Sequence, residues 1–196
     1  MATQSEIKYK RLMEKAEELF VKLGYKAVSM DEIAEAAGIS KMTIYKHFPS
    51  KEKLFLEVVL SLMDRVSAMF EEEMKEIPGT LEKINFMMNY NLKDSKNYSF
   101  AFYKDAMEIP YVTEKLLEEK YRRGREIFEW IIKEGVEKGE IRKVNTSIMT
   151  DMLMMMTEGF AEKYFDKIKT QEDPSTLAEG FYDFLKYGLL GGKGVE

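Results

Sequence analysis

The chain has 196 residues, of which 45 % are hydrophobic and 33 % charged, and its formal net charge is −5. This apolar content suffices for a packed core and argues against a disordered protein. The absence of cysteine excludes disulfides and thiolate chemistry. The sequence shows no apolar leader and no uncharged run of 18 residues, so we expect a soluble, cytoplasmic protein without a membrane span.

The negative net charge is unevenly divided along the sequence. Residues 1–53 contain 10 lysines and arginines against 8 acidic residues, whereas residues 54–196 contain 20 against 27. Salt screens charges separated by more than about 10 Å, so the charge near a binding surface matters more than the total. Basic clusters in the first segment are therefore candidates for phosphate contacts, with a solvated charged face as the alternative.

The first predicted helix covers residues 5–23 and ends at Gly24. Apolar residues recur every three or four positions along it, which predicts one buried stripe. That stripe consists of Leu12, Ala16, Leu19, Phe20 and Leu23.

Two short helices with a tight turn between them follow in residues 29–48. Ser29 and Glu32 have the spacing of a capping box, and Gly38 can end the helix because glycine tolerates positive φ. Ser40 is placed to cap the next helix, which Pro49 closes. Two helices joined by a short turn with glycine form the layout that places a second helix in the DNA major groove.

The second helix of this pair has two chemically different sides. Ile44 and Phe48, together with Ser40, lie on the side predicted to face inward. Met42 and Lys46 lie on the opposite side, flanked by Thr43 and Tyr45. A cation, hydroxyls and a flexible apolar side chain suit phosphates, base edges and thymine methyl groups. A structural hairpin would need only the inward residues.

The stretch SMDEIAEAAGISKMTIYKHFPSKEKLF, preceded by AEELFVKLGY, resembles the amino-terminal DNA-binding domain of TetR-family transcriptional regulators. The resemblance covers roughly residues 5–60. It implies an all-α, TetR-like fold of about nine helices, with a three-helix helix-turn-helix domain in residues 1–53. Residues 54–196 would form a helical ligand-binding and dimerisation domain. The fourth helix, about residues 51–76, would connect the two domains.

The resemblance also implies which residues contact DNA. Lys51 stands at the start of the fourth helix, where a phosphate would offset the unfavourable position of a lysine. Met42 departs from the small residue frequent at its position in relatives, which affects how closely the helix start approaches the bases. The implied DNA-binding set is Ser29, Ser40, Lys41, Met42, Thr43, Tyr45, Lys46, His47 and Lys51.

Five further helices are predicted at about 80–93, 97–109, 112–138, 146–168 and 175–190. Aromatic residues and methionines at helical spacing are typical of a core, and methionines also favour an adaptable pocket wall. We therefore expect a pocket for a small apolar or amphipathic effector within residues 80–168. Its candidate residues are Phe86, Asn89, Tyr90, Phe102, Tyr103, Met107, Trp130, Met152, Met156 and Phe160.

The last two predicted helices carry broad apolar surface, which indicates burial against more than one neighbour. In TetR-like proteins the two carboxy-terminal helices pair with their twins, so the resemblance implies a homodimer. Its candidate interface residues are Met149, Leu153, Phe181, Phe184, Leu185 and Gly188.

Enzymatic activity finds little support in the sequence. The one histidine, His47, lies in the predicted recognition helix, and no residues have the spacing of a metal site or a phosphate-binding loop. We therefore expect neither cofactor nor metal. The expected function is a homodimeric repressor that binds a palindromic double-stranded DNA operator and is released by its effector. The alternatives are a TetR-like activator, and a helical scaffold that binds a protein partner.

Overall fold

The computed structural model describes residues 3–90 and 99–168, together with residues 180, 183, 184 and 187. The side chains of residues 88–90 and 160–168 lie outside the description. Within these residues the chain forms helices and no strand. The helices are α1 (Gln4–Leu23), α2 (Met30–Ala37), α3 (Lys41–His47), α4 (Lys51–Lys75), α5 (Thr80–Tyr90), α6 (Phe100–Glu108), α7 (Pro110–Glu137) and α8 (Thr146–Ile168). The all-α prediction is confirmed, and most of the predicted ninth helix lies outside the described residues.

Local capping chemistry sets most helix ends close to their predicted positions. Gly24 ends α1 with φ +83°, and its N–H donates to the carbonyl of Phe20. Ser99 caps α6, since its hydroxyl accepts a hydrogen bond from the N–H of Phe102. The helix predicted to start at residue 112 begins instead at Pro110. Proline suits the first position of a helix because its fixed φ is helical and its missing N–H is not needed there.

The described residues divide into two compact units. The first unit contains residues 3–69 and 99–119, and the second contains residues 70–90 and 120–168. The helix α4 is continuous through residues 51–75, as predicted, and residues 51–69 of it belong to the first unit. The predicted boundary between a helix-turn-helix domain in residues 1–53 and a ligand-binding domain in residues 54–196 is not the boundary between these units, and it stays a prediction.

The core of the first unit joins α1, α2, α3 and the first half of α4 to α6 and the start of α7. Phe20 and Phe55 are fully buried and meet edge to face at 5.0 Å between ring centroids. Tyr25 lies against the same rings. The predicted stripe of α1 is buried at Leu12, Ala16 and Phe20, whereas Leu23 is exposed. This core holds the α2–α3 pair in a fixed position.

The second unit has a separate apolar core. Its fully buried side chains include Phe128, Ile131 and Ile132 of α7, with Leu153 of α8. One charged side chain, Lys83 of α5, is 2 % exposed and forms an ion pair with Glu134 of α7.

Candidate nucleic-acid interface

The turn between α2 and α3 has the geometry that its capping residues predict. The Ser29 hydroxyl accepts the Glu32 N–H at 3.2 Å, and the Glu32 carboxylate accepts the Ser29 N–H at 2.7 Å. Gly38 adopts the left-handed conformation at φ +62°, and the Ser40 hydroxyl accepts the Thr43 N–H at 3.1 Å. The capping roles predicted for Ser29, Gly38 and Ser40 are confirmed.

The two predicted sides of α3 separate clearly in burial. Ile44 is fully buried and Phe48 is 7 % exposed, so both fix the helix to the core. Met42 is 70 % exposed and Tyr45 is 41 % exposed on the other side. Lys46 is exposed as well. The helix therefore presents a cation, a phenol and a thioether outward.

The Ser40 side chain does not point inward as predicted. It is exposed, because its oxygen accepts the Thr43 N–H at the amino-terminal end of α3. Its hydroxyl also lies 2.8 Å from the hydroxyl of Thr43, which is half-buried. These two hydroxyls form one polar group at the amino terminus of α3.

Lys51 is directed at the protein backbone. Its Nζ donates to the carbonyl oxygens of Tyr25 at 2.8 Å and Val28 at 2.9 Å, and lies 4.0 Å from the centre of the Tyr25 ring. Burial lowers the pKa of the Lys51 ammonium. The negative charges of Asp105 and Glu32 act in the other direction, and their effect is smaller. An ammonium has three donors, so one remains for a phosphate. The predicted DNA contact by Lys51 stays a prediction, and the backbone role is one that its position in the sequence did not reveal.

Arg11 and Tyr9 of α1 support the interface from behind. The Arg11 guanidinium donates to the carbonyl oxygen of Gly38 at 3.2 Å, which ties α1 to the α2–α3 turn. The Tyr9 ring meets the exposed His47 ring edge-on at 5.4 Å. The sequence did not predict the Arg11 contact, for which no local signal exists.

The predicted pocket residues are divided between the two units. Phe86 and Met156 pack against the core of the second unit, whereas Phe102 lies in the first core, 5.5 Å from the Phe55 ring. Phe102 is therefore buried in the core of the first unit, and its role in a pocket stays a prediction. Tyr103, Met107, Trp130 and Met152 are between 38 % and 61 % exposed. The side chains of Asn89, Tyr90 and Phe160 lie outside the described residues.

The predicted dimer residues differ in burial, and Leu153 needs a correction. Leu153 is 1 % exposed and packs in the core of its own chain, so it is not available to a second copy. Met149 is half-buried, and Phe184 is 57 % exposed. Phe181, Leu185 and Gly188 lie outside the described residues. Among the side chains of α8 that the structure describes, the large apolar ones that are exposed are Ile148, Met152 and Met155.

Among the described residues, no three His, Cys, Asp or Glu side chains are grouped so that they could hold a metal ion. None of the described helices is long and apolar enough to cross a membrane.

Comparison with known proteins points to one family. The sequence profile of the bacterial regulatory proteins of the tetR family matches residues 12–58. The chain is 31 % identical over 106 residues to the transcriptional activator FasR of Mycolicibacterium smegmatis, which covers 52 % of this chain and 48 % of FasR. It is 26 % identical over 137 residues to the repressor KstR2 of the same organism, which covers 67 % of this chain and 66 % of KstR2. The match thus spans about half of FasR and just under two thirds of KstR2.

The fold has relatives among solved structures. A TetR-family regulator from Cytophaga hutchinsonii aligns with a TM-score of 0.67 at 17 % sequence identity. The alignment covers 98 % of this chain and 100 % of that one. At this identity the likeness shows the fold alone.

Proposed function

This chain belongs to the TetR family of bacterial regulatory proteins, and on that premise we propose that it regulates transcription by binding duplex DNA through α3. The observation that carries the proposal is the separation of the two sides of α3. Ile44 is fully buried, whereas Met42 and Tyr45 next to it are exposed. Because its buried side anchors α3 to the core, the helix can enter a DNA major groove with its exposed side while the core stays folded.

The outward side chains have complementary roles in this proposal. Tyr45 and Thr43 contact base edges or phosphates through their hydroxyls, and Met42 packs on thymine methyl groups. Lys46, His47 and Lys41 face the phosphates, where each neutralised charge releases counterions. Ser29, Ser40 and Lys51 set the position of the interface and supply further phosphate contacts.

We propose that the remaining helices assemble the regulator and sense an effector. Ile148, Met152 and Met155 follow one another at helical spacing and are between 49 % and 64 % exposed on α8. Such a stripe supports an isologous dimer, in which the two copies of α3 meet half-sites about 34 Å apart. In this proposal the stripe takes the place of the buried Leu153 in the interface.

The effector of the proposal is a small amphipathic molecule bound in the second unit. Thr150 supports it, because its hydroxyl is fully buried and has no hydrogen-bond partner among the described residues. A buried hydroxyl without a hydrogen-bond partner is costly, and a polar group of a ligand would satisfy it. The effector must bind the DNA-free state more tightly, typically by about 1–3 kcal/mol, to release the operator.

The proposal is tested by selecting bound fragments from a genomic DNA library at two salt concentrations. We expect enrichment of a palindromic sequence for the wild-type chain and its loss for Tyr45→Ala. Because Tyr45 is 41 % exposed, this variant should keep its thermal stability, which separates lost contacts from lost folding. Retention of no DNA even at low salt would contradict the proposal and favour a partner-binding scaffold. A reporter gene placed behind the selected sequence distinguishes repression from activation.

A further inference from the structure

We propose that Asp31 controls how strongly this chain binds DNA of arbitrary sequence, by holding the Lys41 ammonium away from the phosphates. The inference rests on the proposed DNA-binding function. It identifies Asp31 as a specificity-determining residue, although its carboxylate makes no attractive contact with DNA. The effect is an electrostatic penalty that base contacts made by α3 must offset.

The pair joins the two helices of the interface across their turn. Asp31 lies in the first turn of α2, and Lys41 is the first residue of α3. The Lys41 Nζ donates to the Asp31 Oδ2 at 2.8 Å. The side chains are 72 % exposed for Asp31 and 45 % exposed for Lys41, so both groups can be reached by a phosphate.

The positions of these two charges on their helices explain the pairing. A carboxylate in the first turn of α2 is favoured by the helix dipole, whereas an ammonium at the start of α3 is disfavoured. The Asp31 hydrogen bond offsets that disadvantage, and it raises the pKa of Lys41. In the free protein Lys41 is therefore paired with Asp31.

The other lysines of the interface increase the importance of this pair. Lys51 already donates to two backbone carbonyls, and Lys46 has no ion pair or hydrogen bond with any described residue. Lys46 is thus free to attract phosphates, whereas a Lys41 already neutralised by Asp31 adds little net charge. If Lys41 leaves Asp31 for a phosphate, it leaves an uncompensated carboxylate beside the DNA. On DNA of arbitrary sequence, the phosphate contact of Lys41 does not offset the penalty of the uncompensated carboxylate. On an operator, the base contacts made by α3 offset it.

The test compares Asp31→Asn with the wild-type chain on a duplex of arbitrary sequence. We expect the variant to bind about threefold to tenfold more tightly, with a salt dependence steeper by about one unit of slope. A matched control is Glu18→Gln, which removes the acid of another exposed pair in the first unit, Lys15–Glu18 at 2.7 Å. The control should change the affinity by less than about twofold. Asp31→Ala is measured in the same way. Circular dichroism shows which of the two variants keeps its helical content, and either variant that does so supplies the test.

A double variant shows whether Asp31 acts through Lys41. In a Lys41→Gln background, Asp31→Asn should no longer steepen the salt dependence, because the released cation is missing. Persistence of the full effect in that background, or no effect in the single variants, would overturn the inference. The proposed function fails in a different way, namely when the wild-type chain and Asp31→Asn both retain no DNA at low salt.

Discussion

The carboxylate of Asp105 on α6 accepts a hydrogen bond from the backbone N–H of Lys26, with 3.1 Å between Oδ2 and the nitrogen. Asp105 is 4 % exposed, and its Oδ1 lies 3.5 Å from the Lys26 Nζ. Lys26 belongs to the short segment between α1 and α2. A helix 79 residues further along the chain therefore holds the entry to the α2–α3 pair in place.

Replacing Asp105 should destabilise the first unit. In Asp105→Ala the partly buried N–H of Lys26 loses its acceptor, and we expect the free energy of unfolding to fall by about 1–3 kcal/mol in urea denaturation. Asp105→Asn keeps an acceptor and should lose less. The control is Glu108→Gln, which removes the exposed partner of the same lysine and should change stability little. Equal losses for Asp105→Ala and Glu108→Gln would contradict this account.

Gly24 should tolerate no side chain. Its φ of +83° is strained for any residue with a Cβ, and an added Cβ would lie 2.8 Å from the Asp105 Oδ2 and 2.9 Å from the Ala101 Cβ. We expect Gly24→Ala to cost about 1–3 kcal/mol of stability for the backbone strain alone. Gly139→Ala is the control, since Gly139 has φ +74° but open space around it. The melting temperature should fall more for Gly24→Ala, and an equal fall would show that the crowding has no effect.

The buried cation of the second unit depends on Glu134. The Lys83 side chain is 3 % exposed, pairs with Glu134 and lies 4.4 Å from the centre of the Trp130 ring. Glu134→Ala leaves that ammonium unpaired, which should lower the free energy of unfolding by about 3–5 kcal/mol. Adding Lys83→Met should recover most of the loss, because the buried charge is then gone. Fluorescence of Trp130, the only tryptophan in the sequence, reports the unfolding of this unit. A double variant no more stable than Glu134→Ala would refute the explanation.

Lys51 and Lys46 should respond differently to the same substitution. Lys51→Met removes the donor of two backbone carbonyls, so we expect a loss of about 1–3 kcal/mol in unfolding free energy. Lys46→Met should leave stability unchanged and should reduce the salt slope of DNA binding by about one unit. Thermal denaturation of the two variants, followed by DNA titrations at several salt concentrations, separates these roles. A stable Lys51→Met variant would show that the carbonyl contacts contribute nothing.

The helix ends and the interface exposure of α3 could be predicted from the sequence because they depend on nearby residues. The hydroxyls of Ser29 and Ser40, and the positive φ of Gly38, act within four residues of the helix ends that they cap. The burial of Ile44 and the exposure of Met42 and Tyr45 follow from the period of the α-helix.

The pocket and dimer residues could not be predicted as well, because their burial depends on distant partners. The helix α8 is apolar around much of its circumference, so periodicity did not tell that Leu153 is buried and Ile148 exposed. Phe102 lies in the first core only because α6 packs on Phe55. The direction of the Lys51 side chain toward Tyr25 and Val28 has no signal in the sequence either.

Site-specific photo-cross-linking tests the central claim most directly. A benzophenone side chain is placed at Met42, which is 70 % exposed on α3, and separately at Met69, which is 58 % exposed on α4. With the duplex selected from the genomic library, we expect cross-links to DNA from position 42 and none from position 69. An excess of unrelated duplex should not abolish them. No cross-link from position 42, or equal yields from both positions, would contradict DNA recognition by α3.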